Sequence, residues 1–219
     1  MLSTIGSLVC HQAPDRTIQI GGKFLPLCSR CTGIYLGFLL GILYQFTLWQ
    51  TKVRELPCQK ISIVSVLLLG LLIIDSLGSY FKLWSLSNYQ RLVLGLLGGS
   101  SISLFLFPAF NYSLFVKPKE DKGIKLLIEY LGLLFLLELA ILFTLSGNFI
   151  IYNIIAFASV LGILFLYLMI NATIAGRIVG WQNRRNTKRI NIFSLAGITL
   201  ILTIIEFYFL RMSHWKFLK

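Results

Sequence analysis

Residues 61–80 read ISIVSVLLLGLLIIDSLGSY, and Asp75 is the one charged side chain among them. A helix of roughly 20 apolar residues crosses the bilayer's hydrocarbon core of about 30 Å, so this segment is long enough to span a membrane. Within it the apolar residues are continuous rather than alternating, which favours a helix over a strand of an outer-membrane barrel. Further segments of the same character are 32–49, 91–116, 126–145, 149–171 and 192–210. The sequence therefore predicts an all-α, polytopic membrane protein with about six transmembrane helices.

The composition of the whole chain agrees with this prediction. Of the 219 residues, 57% are hydrophobic and 13% are charged, and the mean hydropathy is +0.82. Soluble domains have about 45–50% apolar and roughly 25% charged residues. An ordinary cytosolic domain and a disordered chain are therefore both excluded. We expect the lipid bilayer to be the main partner, and the sequence leaves the oligomeric state open.

The basic residues indicate an orientation. The net charge is +12, and most lysines and arginines lie in short links between apolar segments, which fits a membrane topology better than nucleic-acid binding. The first, third and fifth links contain 12 basic residues, and the opposite side of the membrane has 8. This bias predicts a multi-pass protein of the cell membrane with both termini outside. We divide the chain into an outer N-terminal arm (1–31), a transmembrane domain (32–210) and a short tail (211–219).

Three of the four cysteines cluster in the arm. Cys28 and Cys31 form a Cys-x-x-Cys pair, and Cys10 stands next to His11. Four such nitrogen and sulfur ligands suit a tetrahedral zinc ion. Alternatively, Cys28 and Cys31 are a redox pair at a helix N-terminus, as in membrane thiol-disulfide oxidoreductases that reduce a quinone. A structural disulfide that fixes the arm is a third interpretation, although three outer cysteines leave one unpaired.

Ionisable side chains inside the predicted spans are functional candidates, because charge is costly in lipid. With the orientation above, the outer half of the membrane contains Asp75, Arg91 and Glu206, with Glu138 slightly beyond the middle. The link between the second and third spans is short, so we predict that Asp75 and Arg91 meet as an ion pair and are the catalytic candidates. A proton-coupled transporter that uses the intramembrane acids is an alternative. The roles of Glu138 and Glu206 stay open.

Glycines at helical spacing predict close helix packing. They lie in the first span and in the third: Gly33, Gly37 and Gly41, then Gly95, Gly98 and Gly99.

The arm resembles a family of small prokaryotic membrane proteins that is classed as a domain of unknown function. The residues that carry the resemblance are Cys10, His11, Gln12, Pro14, Asp15, Arg16, Thr17, Leu25, Pro26, Cys28, Arg30, Cys31, Thr32, Gly33, Tyr35 and Gly37. A second block is matched by Asp75, Asn88, Arg91, Gly95 and Gly99, with Ser76 in place of the family's glycine. The resemblance implies a membrane protein with a shared N-terminal site.

A substrate class follows from the arginines. Guanidinium groups bind phosphate oxygens in a two-pronged geometry, so arginines near the arm suit an anionic group such as a lipid phosphate. We assign Arg16, Arg30 and Asn88 to substrate binding, together with Arg91. The hypothesis is a membrane enzyme that carries out hydrolysis or group transfer on a lipid-linked or anionic small molecule, with Asp75 as its acid or base.

Overall fold

The computed structural model describes residues 2–49, 53–114, 121–122, 124, 126–186 and 192–217. These residues form seven α-helices: α1 (Leu2–Gly6), α2 (Ser29–Trp49), α3 (Gln59–Tyr80), α4 (Asn88–Leu114), α5 (Leu127–Leu145), α6 (Phe149–Asn186) and α7 (Ile192–Phe217). They also form four short strands: β1 (Gln19–Ile20), β2 (Lys23–Phe24), β3 (Val53–Glu55) and β4 (Asp121–Lys122). Helices α2 to α7 are each long and apolar enough to cross a membrane. The prediction of an all-α polytopic membrane protein is confirmed.

The bounds of several helices differ from the sequence prediction. The fifth span was expected to end at residue 171, but α6 continues to Asn186, and α7 continues past residue 210 to Phe217. Hydropathy marks where a helix leaves the hydrocarbon, and nothing requires the hydrogen-bonded helix to stop there. At the other end of the chain, α2 begins at Ser29 rather than at 32, so Arg30 and Cys31 lie in its first turn.

Helices α2 and α4 are in direct backbone contact. Gly33 and Gly37 of α2 lie against the backbone of α4, and Gly95 and Gly99 of α4 lie against the backbone of α2. A methyl group added at Gly37 would overlap the carbonyl oxygen of Leu96. The close packing predicted from the glycine spacing is confirmed for these four positions. The two remaining glycines contact side chains, which are those of Ser103 (for Gly41) and Leu72 (for Gly98).

The N-terminal arm, residues 2–28, is folded onto one end of the helix bundle, which we call the arm end. Strands β1 and β2 pair as an antiparallel hairpin whose turn uses Gly21 and Gly22, with φ angles of 57° and 77°. Such angles favour glycine, because it has no side chain to clash with the backbone. Ile20 and Leu25 are buried in the same cluster as residues of α2, α4, α5 and α6. An ordered arm was predicted, and burial of its apolar side chains explains the order.

Side-chain hydrogen bonds connect segments of the arm with one another and join the arm to α6. The amide of Gln12 donates hydrogen bonds to the carbonyls of Ser3 (2.6 Å) and Pro26 (2.7 Å). The Tyr152 hydroxyl of α6 donates to the Phe24 carbonyl at 3.2 Å. The arm end therefore includes the start of α6 as well as the start of α2.

The opposite end of the bundle contains a feature that the sequence did not predict. β3 pairs in parallel with β4, with Val53 opposite Asp121. Strands of two or three residues are too short for a visible alternation of apolar and polar residues. Cys58 also lies at this end, where its backbone amide donates to the Ile124 carbonyl at 3.1 Å.

Candidate metal centre and the charged residues beside it

Three cysteine sulfurs come together at the arm end. The ligand atoms of Cys10, Cys28 and Cys31 all lie within 4.8 Å of one another. Cys28 directly precedes α2 and Cys31 lies in its first turn, while the fold of the arm returns Cys10 to the same place. The backbone amide of Cys28 donates to the Cys10 sulfur at 3.3 Å. All three are free thiols in the structure.

The thiols differ strongly in acidity. Hydrogen bonds from the Cys10 and Cys31 side chains are the main cause that lowers the pKa of Cys28 to about 2, and the backbone amide of Cys31 and the charge of Arg30 act in the same direction. The pKa of Cys10 is raised, chiefly by its side-chain hydrogen bond with Cys28. The negative charge of the cluster is therefore centred on Cys28, which is a thiolate. The thiolate is the form of cysteine that binds metals and attacks disulfides.

Apolar and aromatic side chains enclose the cluster from the bundle side. Cys10 packs with the buried residues Leu27, Tyr35 and Ile163. Tyr167 of α6 and Phe207 of α7 pack against the same group, and their ring centroids lie 5.3 Å apart. Sequence reasoning missed this wall, because α6 and α7 show no motif that points to the arm. Helices remote in sequence thus cover one side of the cluster.

His11 lies outside the group of three sulfurs. His11 is exposed, whereas Cys10 beside it is buried. The next residue, Gln12, has a φ of 50° and is held by its two amide hydrogen bonds. The assignment of His11 as a fourth ligand stays a prediction.

The partner of Asp75 differs from the predicted one. The Arg30 Nη2 atom donates to Asp75 Oδ2, and it also donates to the Ser79 hydroxyl at 3.0 Å. The side chains of Arg30 and Asp75 are 17% and 5% exposed. The prediction of an Asp75–Arg91 pair is therefore wrong for this structure. Arg30 was assigned to the arm, but it lies in the first turn of α2 and so reaches α3.

Arg91, in the first turn of α4, is 5% exposed. Its Nε atom is buried without a hydrogen-bond partner, and within the described ranges no side-chain ion pair involves it. The charged groups that act on it are Arg16, Arg30, Asp75 and Asp15. Predicted catalytic and binding residues are therefore brought together, although the pairing among them is different.

Arg16 and Asn88 belong to the same end of the protein. Arg16 is partly exposed and pairs with Asp15, whose carboxylate lies 3.5 Å from the Arg16 Nε atom. The Asn88 amide, at the start of α4, donates to the Asp15 carbonyl at 3.2 Å. The Ser29 hydroxyl donates to the Arg16 carbonyl at 2.9 Å. Asn88 and Ser29 thus hold the segment that carries Arg16.

The two glutamates of the predicted polar set do not join this group. The Asn171 amide of α6 donates to Glu206 Oε2 at 2.7 Å and to the Thr203 hydroxyl at 3.1 Å. Glu206 is thereby held between α6 and α7. Glu138 is exposed on α5. The convergence expected from their depth in the membrane depends on which face of each helix they occupy, and depth alone does not specify the face.

These helices and this thiol cluster define an integral membrane protein with a folded N-terminal arm. The family described as predicted membrane protein (DUF2085) matches residues 10–105, and the chain belongs to this family. That match includes Cys10, Cys28, Cys31, Asp75 and Arg91, and it ends before α5.

Two relatives are similar to the chain. An uncharacterized protein of Methanocaldococcus jannaschii is 31% identical over 121 residues, which are 54% of this chain and 74% of that protein. An uncharacterized protein of Methanothermobacter thermautotrophicus is 53% identical over 38 residues, which are 17% of this chain and 34% of that protein. No solved structure matches. The family resemblance read from the arm is confirmed.

Proposed function

We propose that Cys10, Cys28 and Cys31 bind one zinc ion and that the protein acts through this site at the membrane surface. The observation that carries the proposal is the approach of three sulfurs to within 4.8 Å of one another from two separate segments. Zinc–sulfur bonds of about 2.3 Å place tetrahedral sulfur ligands roughly 3.8 Å apart. The cluster needs little adjustment to reach that spacing.

The surroundings of the sulfurs support thiolate ligands. Cys28 and Cys31 come from one helical turn, and backbone amides donate to the sulfurs of Cys10 and Cys28. Hydrogen bonds to ligand atoms orient them and moderate their charge. The lowered pKa of Cys28 means that one ligand needs to lose no proton when zinc arrives at neutral pH. With three protein ligands, the fourth position is available to His11, to water or to substrate, as in catalytic zinc sites.

In this proposal the charged residues serve a reaction on an anionic or lipid-linked substrate. Asp75 is the proposed acid or base, and Arg91 is its proposed catalytic partner. Arg16 and Arg30 are proposed to bind the anion, and Asn88 contributes by holding the backbone beside Arg16. Zinc would supply a Lewis acid or an activated water to hydrolysis or group transfer. The cell-membrane location with both termini outside belongs to the same proposal.

The decisive test is the metal content of the full-length protein, purified in detergent with a tag that needs no metal-affinity resin. We expect about one zinc per chain, as a site with these ligands binds a single ion. Replacing Cys10, Cys28 or Cys31 with Ser should remove the zinc. Cys58→Ser is the matched control, because Cys58 lies at the opposite end of the bundle. Metal-free protein with a reducible disulfide between Cys28 and Cys31 would refute the proposal.

That refuting outcome would favour a second candidate, a thiol-disulfide oxidoreductase. The observation behind it is the low pKa of Cys28 beside two further thiols. Oxidation of the Cys28 and Cys31 thiols forms their disulfide and releases two electrons and two protons. A quinone would accept both and become a quinol, and Cys10 would exchange disulfides with the pair. Trapping a mixed disulfide in a Cys31→Ser variant would support this candidate.

A proton-coupled transporter has weaker support. Its proposed relay would need Asp75, Glu138 and Glu206 along one path. Asp75 is bound to Arg30, Glu206 is bound to Asn171, and Glu138 is exposed on a different helix. Proton flux into vesicles that depends on these acids would be the observation in its favour.

A further inference from the structure

The guanidinium of Arg91 is buried and is not one of the proposed metal ligands. Arg91 is 5% exposed, and its Nε atom is enclosed without a hydrogen-bond partner. A buried charge without a counter-ion costs several kcal/mol in a typical protein, so such charges are paired or bind a ligand. This side chain therefore lacks an anion.

The acids nearby do not supply that anion. Asp75 is engaged by Arg30, and Asp15 is engaged by Arg16. The charged groups that act on Arg91 are two arginines and two carboxylates, and each carboxylate is already paired with one of the arginines. Arg91 itself adds a positive charge that none of them balances. Among these five groups the excess is one positive charge. A monoanion or dianion entering this place would meet three guanidinium groups.

The position of Arg91 along α4 indicates what kind of anion it would meet. Arg91 lies three residues after the start of α4, or about 4.5 Å along the helix axis. The same end of α3 and α4 carries exposed aromatic side chains, which are Tyr80, Phe81, Trp84 and Tyr89. Aromatic residues of this kind are enriched at the level of the lipid headgroups. The aromatic residues thus support a position for Arg91 near the headgroup phosphates.

We propose that Arg91, with Arg30 and Arg16, forms a binding site for a phosphate group at the arm end of the bundle. Guanidinium groups match the oxygens of phosphate in a two-pronged geometry and stay charged at any working pH. The phosphate belongs to a lipid headgroup or to a free phosphate ion. This inference rests on the proposed function, because the phosphate would be the part of the substrate that is presented to the cysteine site.

The test measures the unfolding temperature of the full-length protein in an uncharged maltoside detergent. One arm adds inorganic phosphate, and the other adds phosphatidylglycerol in mixed micelles, both against sodium chloride at equal ionic strength. A ligand that binds the folded state raises the unfolding temperature in a concentration-dependent way. We expect a rise in at least one arm and a loss of about tenfold or more in apparent affinity for Arg91→Gln. Arg211→Gln, which changes an exposed arginine of α7, should leave the affinity unchanged.

The outcomes separate the sources and the proposals. A rise with inorganic phosphate, alone or together with the lipid, assigns a free phosphate group, and a rise with the lipid alone assigns a headgroup. If neither additive shifts the wild-type protein, or if the shift is equal in Arg91→Gln, the inference is overturned. Should Arg91→Gln fail to fold, Arg91→Lys keeps the charge without the two-pronged geometry and should weaken binding. Running both arms on zinc-loaded and chelator-treated protein shows whether phosphate binding survives a failure of the metal proposal.

Discussion

Replacing Asp75 with Asn tests the ion pair at the centre of the arm end. The amide has nearly the same shape as the carboxylate, so the change removes charge and leaves packing intact. Arg30 then stays in place with the Ser79 hydroxyl as its remaining partner. Removing one member of a buried pair costs about 3–5 kcal/mol. Because the Arg30 side chain is 17% exposed, we expect a value near the lower limit.

A loss of about 3 kcal/mol corresponds to a fall of roughly 6–12 °C in unfolding temperature for a chain of this length. Tryptophan fluorescence during heating in detergent would measure it. Glu138→Gln is the matched control: it also removes an acid from a membrane helix, but that acid is exposed, so we expect no comparable loss. The double variant Asp75→Asn with Arg30→Gln should regain most of the lost stability, because it no longer leaves the charge of Arg30 without its partner.

The same experiment distinguishes the pair seen in the structure from the pair that the sequence suggested. If Arg91 were the true partner, Arg91→Gln would rescue Asp75→Asn, and Arg30→Gln would not. Rescue by Arg91→Gln, or an Asp75→Asn protein as stable as wild type, would refute the reasoning. Rescue by Arg30→Gln alone is the expected result.

Three further predictions concern packing, reactivity and topology. Gly37→Ala should strongly destabilise the fold in a thermal unfolding assay, because the added methyl group meets a backbone carbonyl of α4. Gly70→Ala is the control: its methyl group would have no neighbour within 4 Å, so the change should be neutral or stabilising by up to about 1 kcal/mol. In metal-free protein at pH 6, iodoacetamide should modify Cys28 faster than Cys58, since a pKa of about 2 leaves Cys28 as the thiolate; equal rates by mass spectrometry would contradict the proposed charge distribution. A reporter fused after Lys219 should lie outside and one in the link between α6 and α7 in the cytoplasm; the reverse result would place the cysteines in a reducing compartment.

The sequence predicted the spans and the thiol cluster because both depend on local patterns. Continuous apolar segments mark membrane helices, and Cys-x-x-Cys places two sulfurs on one turn whatever the rest of the chain does. The third sulfur, from Cys10, was also expected, since it belongs to the same short arm. These features need little knowledge of which helices are neighbours.

Pairings between helices were harder to predict. The contact of Arg30 with Asp75 depends on where α2 begins and on how α2, α3 and α4 are arranged. The wall formed by Tyr167 and Phe207 depends on α6 and α7 packing against the arm, for which no motif gave a signal. Glu138 lies on an exposed face of α5, which its position along the span did not indicate. The sequence predicted that the helices exist. It did not determine which helices are neighbours or which face each helix turns towards them.

Both proposed sites depend on one turn of α2. Arg30 and Cys31 are adjacent in sequence, but Arg30 binds Asp75 of α3, whereas Cys31 joins the sulfur cluster of the arm. The Arg30 carbonyl of this turn lies against Gly95 of α4, and α4 also carries Arg91. A displacement of α2 against α4 would therefore move the Cys31 sulfur relative to the Cys10 sulfur of the arm. It would move Arg30 relative to Arg91 at the same time. If both proposed sites exist, metal binding and phosphate binding are therefore expected to influence one another through the position of this turn.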